Sequence, residues 1–180
     1  FENVQILLRT AFLEQQRGQL LPAIDLYTQA LDAEPDNTSP LDALIDLYQR
    51  TENHAKLVEV LSRKAENFPN SDEKKQYYYY IAQLFEHHLD NRPDAISAFR
   101  SVLDFDPNDP TALSELERLY RSAEAWPELI EILNARINIA PSLPDRTQIN
   151  LAIASIYDEQ LKDPSEAIRA FETILNDNPG

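Results

Sequence analysis

The residues of this sequence best equipped for chemistry lie in an acidic turn and a histidine pair. Asp104-Phe105-Asp106-Pro107-Asn108, with Glu115 eleven residues after Asp104, echoes the oxygen-donor spacing of a calcium loop. Asp109 stands where such a loop needs glycine for its sharp turn, so the spacing does not predict a calcium site. His87 and His88 are adjacent and would leave a helix in different directions, unlike an i,i+4 pair that shares one zinc ion. His54 falls at a helix start and reads as a capping or surface residue. No nucleophile–base–orienter set is visible, and paired carboxylates occur only as helix charges. Two glycines cannot build a phosphate cradle, and the absence of cysteine excludes disulfides and thiolate metal sites. The sequence therefore predicts no metal, no cofactor and no catalysis. Tyr77, Tyr78, Tyr79 and Tyr80 step about 100° each around a helix and cannot share a face. Tyr78 falls in register with core positions, and Tyr77 and Tyr80 are expected to pack sideways on adjacent helices.

The elements carrying these residues recur. Pro35, Pro69, Pro107, Pro141 and Pro179 are spaced 34, 38, 34 and 38 residues apart, a repeat of 72. Laying 41–108 on 113–180 matches 19 of 68 residues, among them Leu44, Leu47, Tyr48, Leu57 and Leu61 on Leu116, Leu119, Tyr120, Leu129 and Leu133. Apolar spacing of three and four predicts helices over 4–17, 20–34, 40–50, 54–67, 72–90, 93–105, 111–122, 126–139, 145–161 and 164–177. Prolines after Glu34, Phe68, Asp106 and Asn178 mark the stops. Short connections force consecutive helices antiparallel. Nothing alternates with period two for long enough to predict a strand.

The repeating combination resembles the tetratricopeptide repeats. Unit 76–111 carries it as Ile81-Ala82-Gln83-Leu84-Phe85, Ala95-Ile96, Phe99, Leu103 and Pro107. Unit 147–180 carries Ile153-Ala154-Ser155-Ile156-Tyr157, Ala167-Ile168, Phe171, Leu175 and Pro179; unit 4–37 carries Ala11, Gly18, Ala23-Ile24, Tyr27, Ala30-Leu31 and Pro35. The resemblance implies an all-α, right-handed α-solenoid of about five antiparallel helical hairpins, one repeat domain over 1–180 with units near 4–37, 38–75, 76–111, 112–146 and 147–180. Two units depart from the pattern: Ile45 and Leu57, and Glu117 and Leu129, replace small residues and are expected to hold their paired helices further apart. Units 76–111 and 147–180 carry one extra residue in the inter-helix turn, at Leu89–Pro93 and Leu161–Ser165.

In such arrays the first helix of each hairpin lines a concave groove that takes up a peptide or a partner's helix. By register this implies Asp42, Asp46 and Gln49, then Tyr79, Gln83 and Glu86, then Ser114, Arg118 and Arg121, and last Leu151, Ser155 and Asp158. Residues three or four apart share a helix face, which supports each set. Asp42/Asp46 would form an acidic end and Arg118/Arg121 a basic spot for an anionic group. Tyr79 is the candidate hot spot, and Trp126 reads as a packing anchor. The cationic constellation that grips chaperone tails is absent at the matched positions.

Net charge is −15, with −4 on each of 1–39, 76–111 and 148–180 but only −1 on 40–75 and −2 on 112–147. This acidity disfavours nucleic acid. No run reaches the about 20 apolar residues of a membrane span. The pattern starts within a helix and Pro179-Gly180 stops where another unit would begin, so the chain reads as a fragment of a longer array. Asn37-Thr38-Ser39 is a glycosylation triplet in an inter-unit turn. The compartment stays open, with a lean to the cytoplasm. The expected function is a non-catalytic scaffold for protein–protein interaction. Its alternatives are an assembly spacer that self-associates through uncapped apolar rows such as Ile168, Phe171 and Ile174, or a regulatory segment of a larger enzyme.

Overall fold

The computed structural model describes residues 2–68 and 71–177, and over these the chain is an all-α repeat fold of ten helices with no strand. Pro69, Pro179 and Gly180 lie outside the described residues. Two compact units divide it, Phe1–Asn91 and Arg92–Gly180.

The first unit holds α1 (Glu2–Gln16), α2 (Leu20–Ala33), α3 (Leu41–Arg50), α4 (His54–Glu66) and α5 (Ser71–His87). Each packs on the next in chain order. The second unit holds α6 (Arg92–Phe105), α7 (Pro110–Ser122), α8 (Trp126–Ile139), α9 (Leu143–Ser155), which runs on into a π-helical turn Ile156–Gln160, and α10 (Pro164–Asp177). These too pack in sequence.

Burial follows the 72-residue step. Leu41, Leu44, Leu47, Leu57 and Leu61 in the first unit are at most 2% exposed, and so are Leu113, Leu116, Leu119, Leu129 and Leu133 in the second. Ile81 and Ile153, in step on α5 and α9, are buried as well. Spacings of three and four put these side chains on one stripe of each helix, where the neighbouring helices cover them. In the second unit Arg100 of α6 ties the layers together. Its guanidinium donates to Glu131 of α8 at 3.0 Å and to the Tyr120 hydroxyl of α7, and these bonds raise its already high pKa. One 72-step earlier, Thr28 of α2 meets the Tyr48 hydroxyl of α3 at 3.5 Å.

The turns inside hairpins share one device. Gly18, Glu52, Asp90, Glu124 and Lys162 all have positive φ, between 48° and 75°. After three of them the next amide reaches back five residues: Gln19 to Glu14, Asn53 to Tyr48 and Ala125 to Tyr120. After α5 and α9 the loop is one residue longer. Leu89 bonds back to Leu84 and Asn91 to Phe85; Leu161 bonds back to Ile156 and Asp163 to Tyr157. That extra residue ends α5 at His87, short of the predicted 90. In α9 it is absorbed as the π-helical turn, which divides the predicted 145–161 helix.

Left-handed backbone costs a non-glycine residue roughly 1–2 kcal/mol, part of which glycine returns as extra chain entropy. Glu124→Gly is therefore expected to stabilise the chain by about 0.5–1 kcal/mol. Thermal denaturation measures it, and a lower melting temperature would contradict this account of the turn.

Candidate functional site

In the first unit the first helices of successive hairpins are linked by side-chain hydrogen bonds. Gln15 of α1 donates to Asp46 of α3 at 3.4 Å, and Gln49 of α3 donates to the Tyr80 hydroxyl of α5 at 3.1 Å. The Tyr27 hydroxyl of α2 donates to Gln15 at 3.2 Å and so joins the same chain of bonds. Burial raises the pKa of that phenol. The predicted acidic edge is internally compensated: Asp42 pairs with Lys64 of α4 at 2.9 Å and Asp46 with Arg50 at 3.3 Å. Exposed pairs of this kind contribute little stability, yet they dilute any attraction for a cationic partner.

Tyr77, Tyr78, Tyr79 and Tyr80 are all half-buried. Tyr78 thus departs from its expected core position, because four rings spread around one turn of helix leave each partly outside. Tyr77 stacks on Phe68, with ring centroids 5.3 Å apart. Lys64 lies over the other aromatic of that pair, 5.6 Å from the Phe68 centroid. Gln83 is exposed on α5 and Glu86 half-buried. Both histidines of the pair are exposed, and His88 stacks on His54 at 4.1 Å. Among the described residues no three acidic or histidine side chains gather as a metal site. Asp109 caps α7 instead, its carboxylate accepting from the Ala112 amide at 2.8 Å.

In the second unit the α7 face is basic and partly self-neutralised. Arg118 pairs with Glu115 at 2.8 Å and Arg121 with Glu117 at 2.8 Å. Arg136 of α8 reaches the second oxygen of Glu117, so one carboxylate, only 17% exposed, holds a guanidinium from each helix. Ser114, Arg118 and Arg121 line a shallow depression of about 430 Å³ together with Glu117, Ser122 and Arg136. Beside it, between α7, α8 and α9, lies a cavity of about 450 Å³. Glu117, Arg121, Arg136, Asp145 and Gln148 give it polar walls; Leu133, Ile139, Ala140, Pro141, Ile149 and Ala152 give it an apolar floor.

The α9 residues at this cavity stand up the helix from the predicted Ser155 and Asp158. Ser155 donates to Glu159 at 3.1 Å, Asp158 is exposed in the π-helical turn, and Leu151 is 46% exposed. Sequence reasoning missed Gln15, Arg136, Ala140 and Ala152, and it read Tyr80 only as a packing residue and Glu117 only as a spacer. The missed signal was present in the 72-residue alignment, which opposes Tyr80 to Ala152 and Ile45 to Glu117. Trp126 is half-buried at the start of α8. Ile174 is half-buried rather than exposed, and the outward row of α10 is Ile168, Phe171 and Leu175. No helix among the described residues is long and apolar enough to cross a membrane.

No curated protein matches the chain. Among solved structures it is similar to the MamA protein, at 21% identity and a TM-score of 0.46, over 99% of this chain and 93% of that one. It is also similar to YrrB, described as a TPR protein with an unusual peptide-binding site, at 13% identity and a TM-score of 0.44, over 96% and 85%. A tetratricopeptide repeat protein from Parabacteroides merdae is similar at 19% identity and a TM-score of 0.44, over 97% and 65%. A tetratricopeptide repeat model matches residues 112–147, and the model of the TT21 fifth ARM repeats domain matches residues 5–101, more than half of the chain. The chain therefore belongs to the TT21 fifth ARM repeats domain family and is a tetratricopeptide-repeat protein.

Proposed function

We propose that the chain is a non-catalytic scaffold that binds a segment of a partner protein on its α7 face. The supporting observation is the pairing of a cavity with arginines from two helices, Arg121 and Arg136, around one half-buried carboxylate. Guanidinium groups offer five donors each and take carboxylate or phosphate in bidentate fashion, whereas the remainder of this acidic chain repels anions. Ser114 and Arg118 extend the same face along α7, and on this reading the whole chain acts as one repeat domain. The first unit's face, with Asp42, Asp46, Gln49, Tyr79, Gln83 and Glu86, is a secondary contact surface.

A photo-crosslinker at Ser114 tests the reading. It is expected to trap a partner protein in native lysate, and Arg118→Glu with Arg121→Glu is expected to abolish trapping while helicity is kept. Capture of the same proteins by the double variant would contradict it.

Exposed Ile168, Phe171 and Leu175 on α10 favour a second reading, self-association through that face. One 72-step back, Arg100 pairs with Tyr120 and Glu131. A second copy stacked in that register would bring Glu172 against Glu14 and Asp25, where like charges repel. Self-association therefore ranks second, and a concentration-dependent mass in light scattering would reverse the order.

A further inference from the structure

The cavity between α7, α8 and α9 has a filled counterpart. In the first unit the 72-residue step places Phe68, Tyr77 and Tyr80 where the second unit has Ala140, Ile149 and Ala152. There the space between α3, α4 and α5 is occupied by the stacked Phe68 and Tyr77 rings and by Tyr80 bonded to Gln49. Lys64, the counterpart of Arg136, caps the Phe68 ring. In the second unit the rings are gone, while the leucine layer beneath is kept, Leu61 matching Leu133 with both buried. What remains is about 450 Å³ of open space, within the range of ligand pockets.

The rim changes with the floor. Ile45 becomes Glu117, Gln49 becomes Arg121 and Lys64 becomes Arg136, so a wall with one cation turns into a carboxylate flanked by two guanidiniums. Glu117 accepts from each arginine through one oxygen, which leaves donors on both. Asp145 also lines the cavity, but it is engaged by Ser142 in the cap of α9, where the helix N-terminus favours a negative charge.

We infer that this cavity is a receptor for an aromatic side chain carried beside an anion on the partner's segment. The ring would take the place that Phe68 and the tyrosines take in the first unit, with Arg136 over it as Lys64 lies over Phe68. The anion would be met by Arg121. It is either the carboxylate of a neighbouring residue or a phosphate on the ring itself. This rests on the reading of the α7 face given above and narrows it.

The test titrates the full chain with N-acetylphenylalanine, its uncharged amide, the amide of N-acetyl-O-phosphotyrosine, and N-acetylleucine, following the methyl resonances of Ala140, Ile149 and Ala152. At least one anionic aromatic probe is expected to give saturable shifts, with affinity about tenfold above the uncharged amide. Whichever anionic probe binds identifies the source of the anion. Ala152→Tyr and Ala140→Phe, which restore the first unit's residues, are each expected to abolish the shifts. Arg121→Gln is expected to bring the anionic probe down to the level of the amide. Melting curves identify any variant that fails to fold, and the remaining two still decide. Saturation by none of the aromatic probes, an equal response to the leucine probe, or unchanged binding in a folded, filled variant would overturn the inference. If the probes fail while Arg118→Glu/Arg121→Glu still loses its partner, the α7 reading stands and the aromatic receptor falls.

Discussion

Leu116→Ala lowers stability by about 2–5 kcal/mol, the range for a fully buried leucine cut back in a close-packed core. Leu116 is 0% exposed on α7, which packs on both α6 and α8. A cavity there weakens two helix interfaces at once. Leu175→Ala serves as the control, because a side chain 67% exposed on α10 carries little packing energy, and its effect stays within about 0.5 kcal/mol. Repeat arrays distribute stability over neighbour contacts, so the lesion is local. Trp126, the sole tryptophan, opens α8 and reports on that neighbourhood. Its fluorescence transition in urea is expected to move to lower concentration more than the far-ultraviolet dichroism does. Coincident transitions, or equal losses for Leu116 and Leu175, would contradict the layered core.

The fold was legible because its signals are periodic. Leucines spaced three and four apart, prolines at helix ends and a 72-residue echo each constrain the backbone, and they agree with one another. The extra residue in two turns was legible too, as the shifted bonds at Leu89 and Leu161 show. Its consequence for α9 was not, since a π-helical turn and a longer loop accommodate the same insertion equally well in a bare sequence. The site was legible only in part. Register pointed to Arg118 and Arg121; the carboxylates that hold them, Glu115 and Glu117, stand three and four residues earlier on the same helix, a spacing present in the sequence that the site reading did not use. Arg136 comes from another helix, 19 residues beyond Glu117, a separation that no single-helix pattern reveals. The cavity is made of what is missing, and small residues such as Ala140 and Ala152 carry no signal until they are set against Phe68 and Tyr80.

If the two units use one packing plan, moving the first unit's rings into the second fills open space without strain. Ala140→Phe, Ile149→Tyr and Ala152→Tyr together would then bury new aromatic surface over Leu133 and beneath Arg136. Filling a cavity with side chains suited to it typically gains about 1–2 kcal/mol. For a chain of this length that corresponds to a rise of roughly 3–6 °C in melting temperature. The gain would be smaller than the sum of three buried rings, because Glu117 stays at the rim and its wall remains polar.

The melting temperature of that triple variant, compared with the parent chain under identical conditions, tests most directly whether the second unit is the first with its aromatic filling removed. A cooperative transition shifted upward by several degrees is the result predicted. A folded variant that melts below the parent would show that the two sites are built differently and that the cavity of the second unit is not a vacated ring site.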